Sequence, residues 1–268
     1  MKTAKKTALI TGPSAGIGLE LAWIFAEHGY DLVLVARSAD KLRRLAEDLK
    51  SRHGISAHVI VKDLSNPTAP LQIFQEIQNQ KIPVEILVNN AGFGTYGPFA
   101  ETSLEKELEL IRLNISALTQ LTKLFLPAML ERKSGKIMNV ASTAAFQPGP
   151  LMAVYYASKS YVLSFSEALA AELSGTGVSV TVLCPGPTES DFQKTAGIDG
   201  KILLFRLTMM KARKVAKIGY DGLMKKKRIV IPGFTNRLLP FGVRIAPRCL
   251  VTSLVQWIQK SSKQSVSR

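Results

Sequence analysis

The chain has 268 residues, 46% of them apolar and 21% charged, a composition that buries a core within a domain of α/β size. It excludes disordered, collagen-like and low-complexity classes, and with only Cys184 and Cys249 and no His/Cys cluster at zinc spacing it excludes a disulfide scaffold and predicts no metal. The formal charge of +15 lies wholly in the last quarter, where residues 201–268 hold 16 Lys/Arg against Asp221 alone and residues 1–200 hold 19 of each sign.

Lys2, Lys5 and Lys6 precede an apolar stretch, as at the start of a signal peptide. Gly12, Pro13, Gly16, Gly18 and Glu20 interrupt it, so no signal peptide is predicted. No apolar run approaches the roughly 18–20 residues of a membrane span. A reducing, cytoplasmic setting is expected.

The first predicted strand, 7–10, runs into Thr11-Gly12-Pro13-Ser14-Ala15-Gly16-Ile17-Gly18, and a helical pattern follows over 19–28. Gly12 permits the tight turn, Gly16 lets a pyrophosphate approach the backbone, and Gly18 lets helix and strand pack closely. The helix start would then face phosphates with free N–H groups, a dinucleotide-binding arrangement. Gly29 sits at the C′ position. The second strand, 32–35, ends in Ala36-Arg37-Ser38, with Lys41 one turn on. An acid at this strand end would bind the 2′-hydroxyl of NAD, and an Arg accommodates the 2′-phosphate of NADP. Arg37 therefore predicts NADP(H). Ser38 is the predicted N-cap of a helix over 41–52, Asp40 adds charge to its first turn, and Gly54 ends it.

The third strand, 57–61, is followed by Asp63 and a helix over 71–80. The fourth, 86–88, leads into Asn89-Asn90-Ala91-Gly92 and a long helix over 104–132 behind Ser103. The fifth, 137–140, precedes Ser142. The helix over 155–174 places Tyr155 and Lys159 on one face, four residues apart. An ammonium beside a tyrosine favours phenolate and lowers its pKa, which suits proton transfer. Tyr156 has only Ser160 at that spacing and is rejected. Alone, such a pair is common by chance and better fits a solvated helix surface. A sixth strand, 178–183, precedes Pro185-Gly186-Pro187-Thr188. Six apolar strands alternating with helices predict a parallel sheet covered on both faces.

After Pro185 the pattern changes. Residues 189–211 are mixed, with Ile202, Leu203, Leu204, Phe205, Leu207, Met209 and Met210 making them apolar. A helix over 211–224, Lys225-Lys226-Lys227-Arg228 and a strand over 229–231 follow. Leu250, Val251, Leu254, Val255 and Ile258 share one helical face in the tail.

These motifs, in this order, resemble the short-chain dehydrogenase/reductase family over about residues 5–235. The glycine turn, Asn89-Asn90-Ala91-Gly92 after the fourth strand, Ser142 followed 13 residues later by Tyr155-Tyr156-Ala157-Ser158-Lys159, and Pro185-Gly186-Pro187-Thr188 after the sixth strand carry the resemblance. It implies a doubly wound Rossmann-type seven-stranded parallel sheet, order 3-2-1-4-5-6-7. Tyr155 would be the acid/base, Ser142 would position the carbonyl, and Lys159 would hold the nicotinamide ribose and depress the Tyr155 pKa. Asn114 would support a proton-relay water. Gly12, Ser14, Gly16, Ile17, Gly18, Arg37, Asp63 (toward adenine), Asn90, Lys159, Pro185 and Thr188 would bind the cofactor. Asp63 also fits a turn cap. The helices 104–132 and 155–174 would form a homodimer or homotetramer.

The expected organisation is a domain over 1–235, including a substrate loop 189–211, and a basic, partly helical extension over 236–268. Apolar residues in the loop, with Phe93, Tyr96, Phe146, Leu151 and Met152 around the cleft, point to an apolar ketone, aldehyde or acyl substrate reduced by NADPH, reversibly with secondary-alcohol oxidation. The alternatives are a 3-oxoacyl-thioester reductase of lipid metabolism and a non-catalytic NADP-sensing protein. A nucleic-acid partner is not expected, because the basic segment lacks a base-reading motif. The basic tail either is a solvated face whose apolar residues pack on the domain or holds the protein weakly against anionic lipid.

Wild-type protein should bind NADPH more tightly than NADH in a fluorescence titration, and Arg37→Asp should weaken NADPH and relatively favour NADH. Equal wild-type affinities would refute the Arg37 reading.

Overall fold

Runs of branched apolar residues form seven strands; the five inner ones are largely buried on both faces and the two at the sheet edges only in part, which favours a parallel sheet under helices. The computed structural model describes residues 6–189, 192 and 209–260. The strands are β1 (Thr7–Thr11), β2 (Asp31–Ala36), β3 (Ala57–Val61), β4 (Val84–Asn89), β5 (Gly135–Val140), β6 (Val178–Leu183) and β7 (Ile229–Val230). All pairs are parallel, in the order β3-β2-β1-β4-β5-β6-β7, as the sequence predicts.

Alternating residues of β1 serve opposite faces. Ala8 and Ile10 join Leu21 and Phe25 of α1 (Gly16–Glu27), Leu42 and Leu49 of α2 (Ala39–His53), and Val215, Tyr220 and Leu223 of α7 (Ala212–Met224). Leu9 turns the other way. It joins Ile73 and Ile77 of α3 (Ala69–Asn79), Phe125 of α5 (Leu118–Glu131) and Leu169 of α6 (Ala153–Glu172). β1 pairs with both β2 and β4, so the chain's crossovers reverse direction there and a crevice opens beyond the carboxyl ends of these strands.

Several elements depart from expectation. The first helix begins at Gly16 rather than residue 19, so Gly16 and Gly18 form its first turn. Gly29 and Gly54 do adopt the left-handed backbone expected of C′ residues, with φ of 76° and 62°. Ser38 stands at the N-cap of α2, but its side chain makes no capping bond; Ser103 does cap α4 (Leu104–Ile111), accepting from the Lys106 N–H. The single helix expected over 104–132 is interrupted by a π-helical turn, Arg112–Ala117, between α4 and α5. The tail forms two helices, α8 (Phe234–Ile245) and α9 (Arg248–Lys260). Pro240 and Gly242, both poor helix formers, hide α8 in the sequence.

A buried polar chain ties the central strands to two helices. Asn89 Nδ2 donates to Thr122 Oγ1 at 3.1 Å and to Asn139 Oδ1 at 2.9 Å, and Asn139 Nδ2 donates to Ser166 Oγ at 2.9 Å. This joins β4, β5, α5 and α6 just below the crevice.

Removing Asn139 takes one of two acceptors from the buried Asn89 amide and the donor from Ser166 Oγ, leaving them only Thr122 and the Val162 carbonyl, at a cost of about 1–3 kcal/mol. Asn139→Ala should lower the unfolding free energy by that amount, read as a lower urea midpoint at an unchanged denaturant slope; an unaltered midpoint would show that the network contributes nothing to stability.

Candidate active site

The crevice is a cleft of about 700 Å³. At one end lies the turn between β1 and α1. Gly12 and Gly16 have φ of 67° and 56°, the left-handed region that side chains disfavour. A Cβ on Gly18 would strike the Gly12 carbonyl and the Asn90 amide. Asn90 Nδ2 donates to the Thr11 and Gly12 carbonyls at 2.9 and 3.1 Å, and Thr11 Oγ1 accepts from the Asn90 and Ala91 N–H groups. The segment that follows β4 thus clamps the glycine turn. Ala15 gives α1 no side-chain cap, so the first-turn N–H groups stay open beside Ser14, Gly16 and Ile17, which line the cleft. A glycine cradle at an uncapped helix start fits a pyrophosphate.

Beyond the β2 end, Arg37, Ser38, Lys41, Lys62 and Asp63 line the same cleft. Arg37 lies 3.7 Å from Asp63 and 3.4 Å from Glu109. Asp63 accepts from the Ser65 N–H at 2.9 Å and hydroxyl at 2.7 Å, so it forms a turn as well as a wall. Burial alone would raise its pKa, but the Ser65 bonds and the Arg37 charge hold it below the ordinary value. Three cations, with Lys62 unforeseen in the sequence, suit a ribose phosphate better than a bare ribose.

Ser142, Tyr155 and Lys159 converge at the β5 end. Ser142 caps the short helix Thr143–Phe146, accepting from the Ala144 N–H at 3.1 Å; its hydroxyl donates to the Pro185 carbonyl at 3.4 Å and lies near enough to Tyr155 to lower that phenol's pKa. The buried Lys159 ammonium donates to the Val140 carbonyl at 2.9 Å and lies 5.8 Å from the Tyr155 ring centroid. Burial pushes its pKa down to about 8, against the opposing pull of Cys184. Burial also raises the Tyr155 pKa, with Tyr156 adding to it and the Ser142 hydroxyl only partly offsetting it. The net shift is upward rather than the expected lowering, because desolvation of the buried phenolate outweighs the groups that favour it, and the Lys159 amine is bonded to the Val140 carbonyl. The tyrosine is therefore held as a neutral proton donor.

Asn114 lies in the π-helical turn, a local irregularity often found at functional sites. Its Oδ1 accepts from the Phe93 N–H at 3.2 Å, and its Nδ2 donates to the Phe93 carbonyl and Ser158 Oγ. A Cβ on Gly92 would meet Asn114 Oδ1 at 2.9 Å and Lys159 Nζ at 3.4 Å, so Gly92 keeps both groups at the cleft floor. Pro185 and Thr188 line the wall after β6; Thr188 Oγ1 donates to the Gly186 carbonyl at 2.9 Å.

On the substrate side, Phe93 and Met152 line the cleft as expected. Tyr96 instead stands behind it, donating to the Gln259 carbonyl at 2.8 Å. Phe146 packs in a separate cluster with Val162, and Leu151 turns in a left-handed conformation outside the lining. Phe192 lies 5.2 Å from the Tyr155 ring. The remainder of the apolar loop, 190, 191 and 193–208, lies outside the described residues. The sequence did not assign Val255, Ile258 and Gln259 of α9 to the cleft wall. Their helical spacing was legible, but not what that face covers. Gln259 Nε2 donates to the Tyr156 hydroxyl at 3.0 Å, which fixes that tyrosine away from the reacting end.

Residues 6–200 match the short chain dehydrogenase family model. The chain belongs to the short-chain dehydrogenase family. The ketoacyl reductase HetN of Nostoc sp. is 37% identical over 181 residues, 68% of this chain and 63% of that protein. The chain spans 52–63% of the length of three such curated relatives. A short-chain dehydrogenase from Sphingobium yanoikuyae, solved with NADPH, is 31% identical with a TM-score of 0.82, covering 91% of this chain and 94% of that one. The bulky-bulky ketone specific alcohol dehydrogenase from Comamonas testosteroni is 29% identical with a TM-score of 0.76, covering 87% and 88%.

The family's lysine position gives a signed pH effect here. Below about 8 Lys159 is charged in both folded and unfolded states and its burial opposes folding. As pH rises past that value the folded state loses its proton first, and stability rises until the unfolded lysine titrates near its ordinary value. Measured against Lys159→Met, wild-type stability should rise by about 2 kcal/mol between about pH 7 and 9.5. A flat difference in denaturation midpoints would contradict the buried ammonium.

Proposed function

We propose that this chain is an NADPH-dependent oxidoreductase that reduces the carbonyl of an apolar ketone, aldehyde or acyl compound, and in reverse oxidises a secondary alcohol. The observation that carries the reading is the convergence of Ser142, Tyr155 and Lys159 at one end of a cleft whose other end is a glycine cradle ringed by Arg37, Lys41 and Lys62. The NADPH complex of the Sphingobium relative supports the cofactor. When bound, the nicotinamide would supply hydride.

The protein's own part is proton transfer and charge stabilisation. Tyr155, held neutral by burial, donates its phenolic proton to the carbonyl oxygen. The Ser142 hydroxyl supports the charge developing on that oxygen. The Lys159 ammonium stabilises the phenolate left behind and holds the nicotinamide ribose. Asn114 fixes the Phe93 backbone beside this group and supports a water that returns the proton. Phe93, Met152, Phe192, Val255 and Ile258 give the substrate side an apolar wall, consistent with the bulky ketones in the name of the Comamonas relative. A 3-oxoacyl thioester is the second reading, favoured by the ketoacyl reductase name of HetN. Assembly into a dimer or tetramer through α4, α5 and α6 belongs to the same proposal; Leu104, Leu108 and Tyr161 are exposed on these helices.

NADPH oxidation over ketones, aldehydes and 3-oxoacyl thioesters of graded chain length tests the reading. Tyr155→Phe should lower turnover about a hundredfold or more while retaining NADPH binding, and Tyr156→Phe should do much less. Tight NADPH binding with no oxidation of any substrate would instead identify a cofactor-sensing protein.

A further inference from the structure

α8 is inverted relative to an ordinary surface helix. Its polar Asn236 is buried, donating to the Pro232 carbonyl at 2.8 Å. Phe234, Leu238, Phe241 and Ile245 recur at i, i+4, i+7 and i+11, hence on one face, and that face is solvent-exposed. α9 divides its apolar residues: Val251, Val255 and Ile258 pack toward Tyr155 and Tyr156, whereas Leu250, Leu254 and Trp257 form a second outward stripe at i, i+4 and i+7. All seven outward side chains are 55–85% exposed. Packing on the domain therefore accounts for the inner stripe of the tail and not for the outer two.

Charge indicates what covers the outer stripes. Arg237 and Arg244 border the α8 stripe and Arg248 opens α9, all exposed. Beside them, a cavity of about 470 Å³ between the end of α7, β7 and α8 combines Lys225, Lys227 and Arg237 with Ile218, Ile229 and Phe241. Its one acid, Asp221, lies 3.7 Å from Lys217. Cations around an apolar floor match an anionic amphiphile. Under a two-fold axis a second copy would set the same arginines against one another. An anionic lipid surface supplies both the countercharge and the apolar layer. No helix among the described residues is long and apolar enough to cross a membrane.

We propose that the outward faces of α8 and α9, with the adjacent Lys225, Lys227 and Arg237 cavity, form a docking surface for an anionic lipid bilayer, on which the helices lie parallel to the membrane plane. Thr235 and Asn236 of α8 and Val255, Ile258 and Gln259 of α9 line the cleft, so docking sets the cleft wall beside the lipid, where apolar compounds concentrate. The proposal stands independently of the reaction assigned to the cleft.

Flotation of the full chain with phosphatidylglycerol-containing and pure phosphatidylcholine vesicles tests it. At low salt, partition onto the anionic vesicles should be at least about tenfold greater, and it should fall as salt shortens the Debye length. Trp257 fluorescence should shift to the blue with anionic vesicles only, and Trp257→Phe should abolish the shift, because Trp23 packs against the domain core. The double variants Leu238→Ser/Phe241→Ser and Arg244→Gln/Arg248→Gln should each lose most of the partition while keeping the wild-type circular dichroism and thermal midpoint. Equal partition onto both vesicles, none at low salt, or undiminished binding by either double variant would overturn the proposal. So would sedimentation showing that the Leu238→Ser/Phe241→Ser variant dissociates a lipid-independent dimer, which would assign the face to a second copy of the chain.

Discussion

The hydrogen bond from the Lys159 ammonium to the Val140 carbonyl ties α6 to the end of β5, and the arrangement of the cleft depends on it. A buried ammonium without an acceptor would be expelled or neutralised, so this bond fixes both the height and the rotation of α6. Tyr155, one turn earlier on the same face, is thereby placed beside Ser142 at the end of the same strand. The Asn89–Asn139–Ser166 chain holds α6 from below. Asn114 reaches Ser158, the neighbour of Lys159 in sequence, from the opposite side. The polar groups at this end are thus constrained by strands and helices rather than by loops, which is the condition for precise positioning of a proton donor.

The two ends of the cleft share their supports. Asn89 points down into the buried chain between β4 and β5, while Asn90 points sideways into the glycine turn after β1. Consecutive strand residues face opposite ways, so two adjacent asparagines can brace the reacting end and the phosphate-binding end from one strand terminus. Gly92, two residues on, then leaves room for Asn114 and Lys159. The run Asn89-Asn90-Ala91-Gly92 is therefore one mechanical unit. Its residues act by holding other residues, which explains why spacing alone reveals their presence but not their individual partners.

The parallel sheet was legible because strands buried on both faces carry strong, continuous apolar signals, and all seven were bounded within two residues. The glycine turn, Ser142 and the Tyr155–Lys159 pair were legible because each sits at a strand end or on one helix face, positions set by local periodicity. The π-helical turn was not legible: Arg112–Ala117 has an ordinary helical composition, and the extra residue is accommodated by tertiary bonds from Asn114 to Phe93 and Ser158. The protonation of Tyr155 was also hidden. Sequence gives the distance between tyrosine and lysine along a helix, but the pKa follows the three-dimensional burial that α9, Phe192 and Met152 impose. The pairing of Arg37 with acids from the turn after β3 and from α4, segments far apart in sequence, is announced by no local pattern.

The last quarter of the chain has a different logic from the rest. Its inner surface completes a wall around Tyr155 and Tyr156 through Val251, Val255 and Gln259, and its sequence carries the net positive charge of the whole protein. The chemical groups themselves lie just after β5 and on α6, beside the central sheet. Side chains of α8 and α9 can therefore change cleft shape or surface affinity without moving Ser142, Tyr155 or Lys159. The weak coupling has a structural source: α9 meets the reacting end through side-chain packing and the Gln259–Tyr156 bond, not through the sheet's backbone ladder. Under the two proposals, substrate selection and membrane docking would vary together on this segment, because cleft-lining and outward apolar side chains share the same two helices, while the proton-transfer geometry stays fixed by the strands.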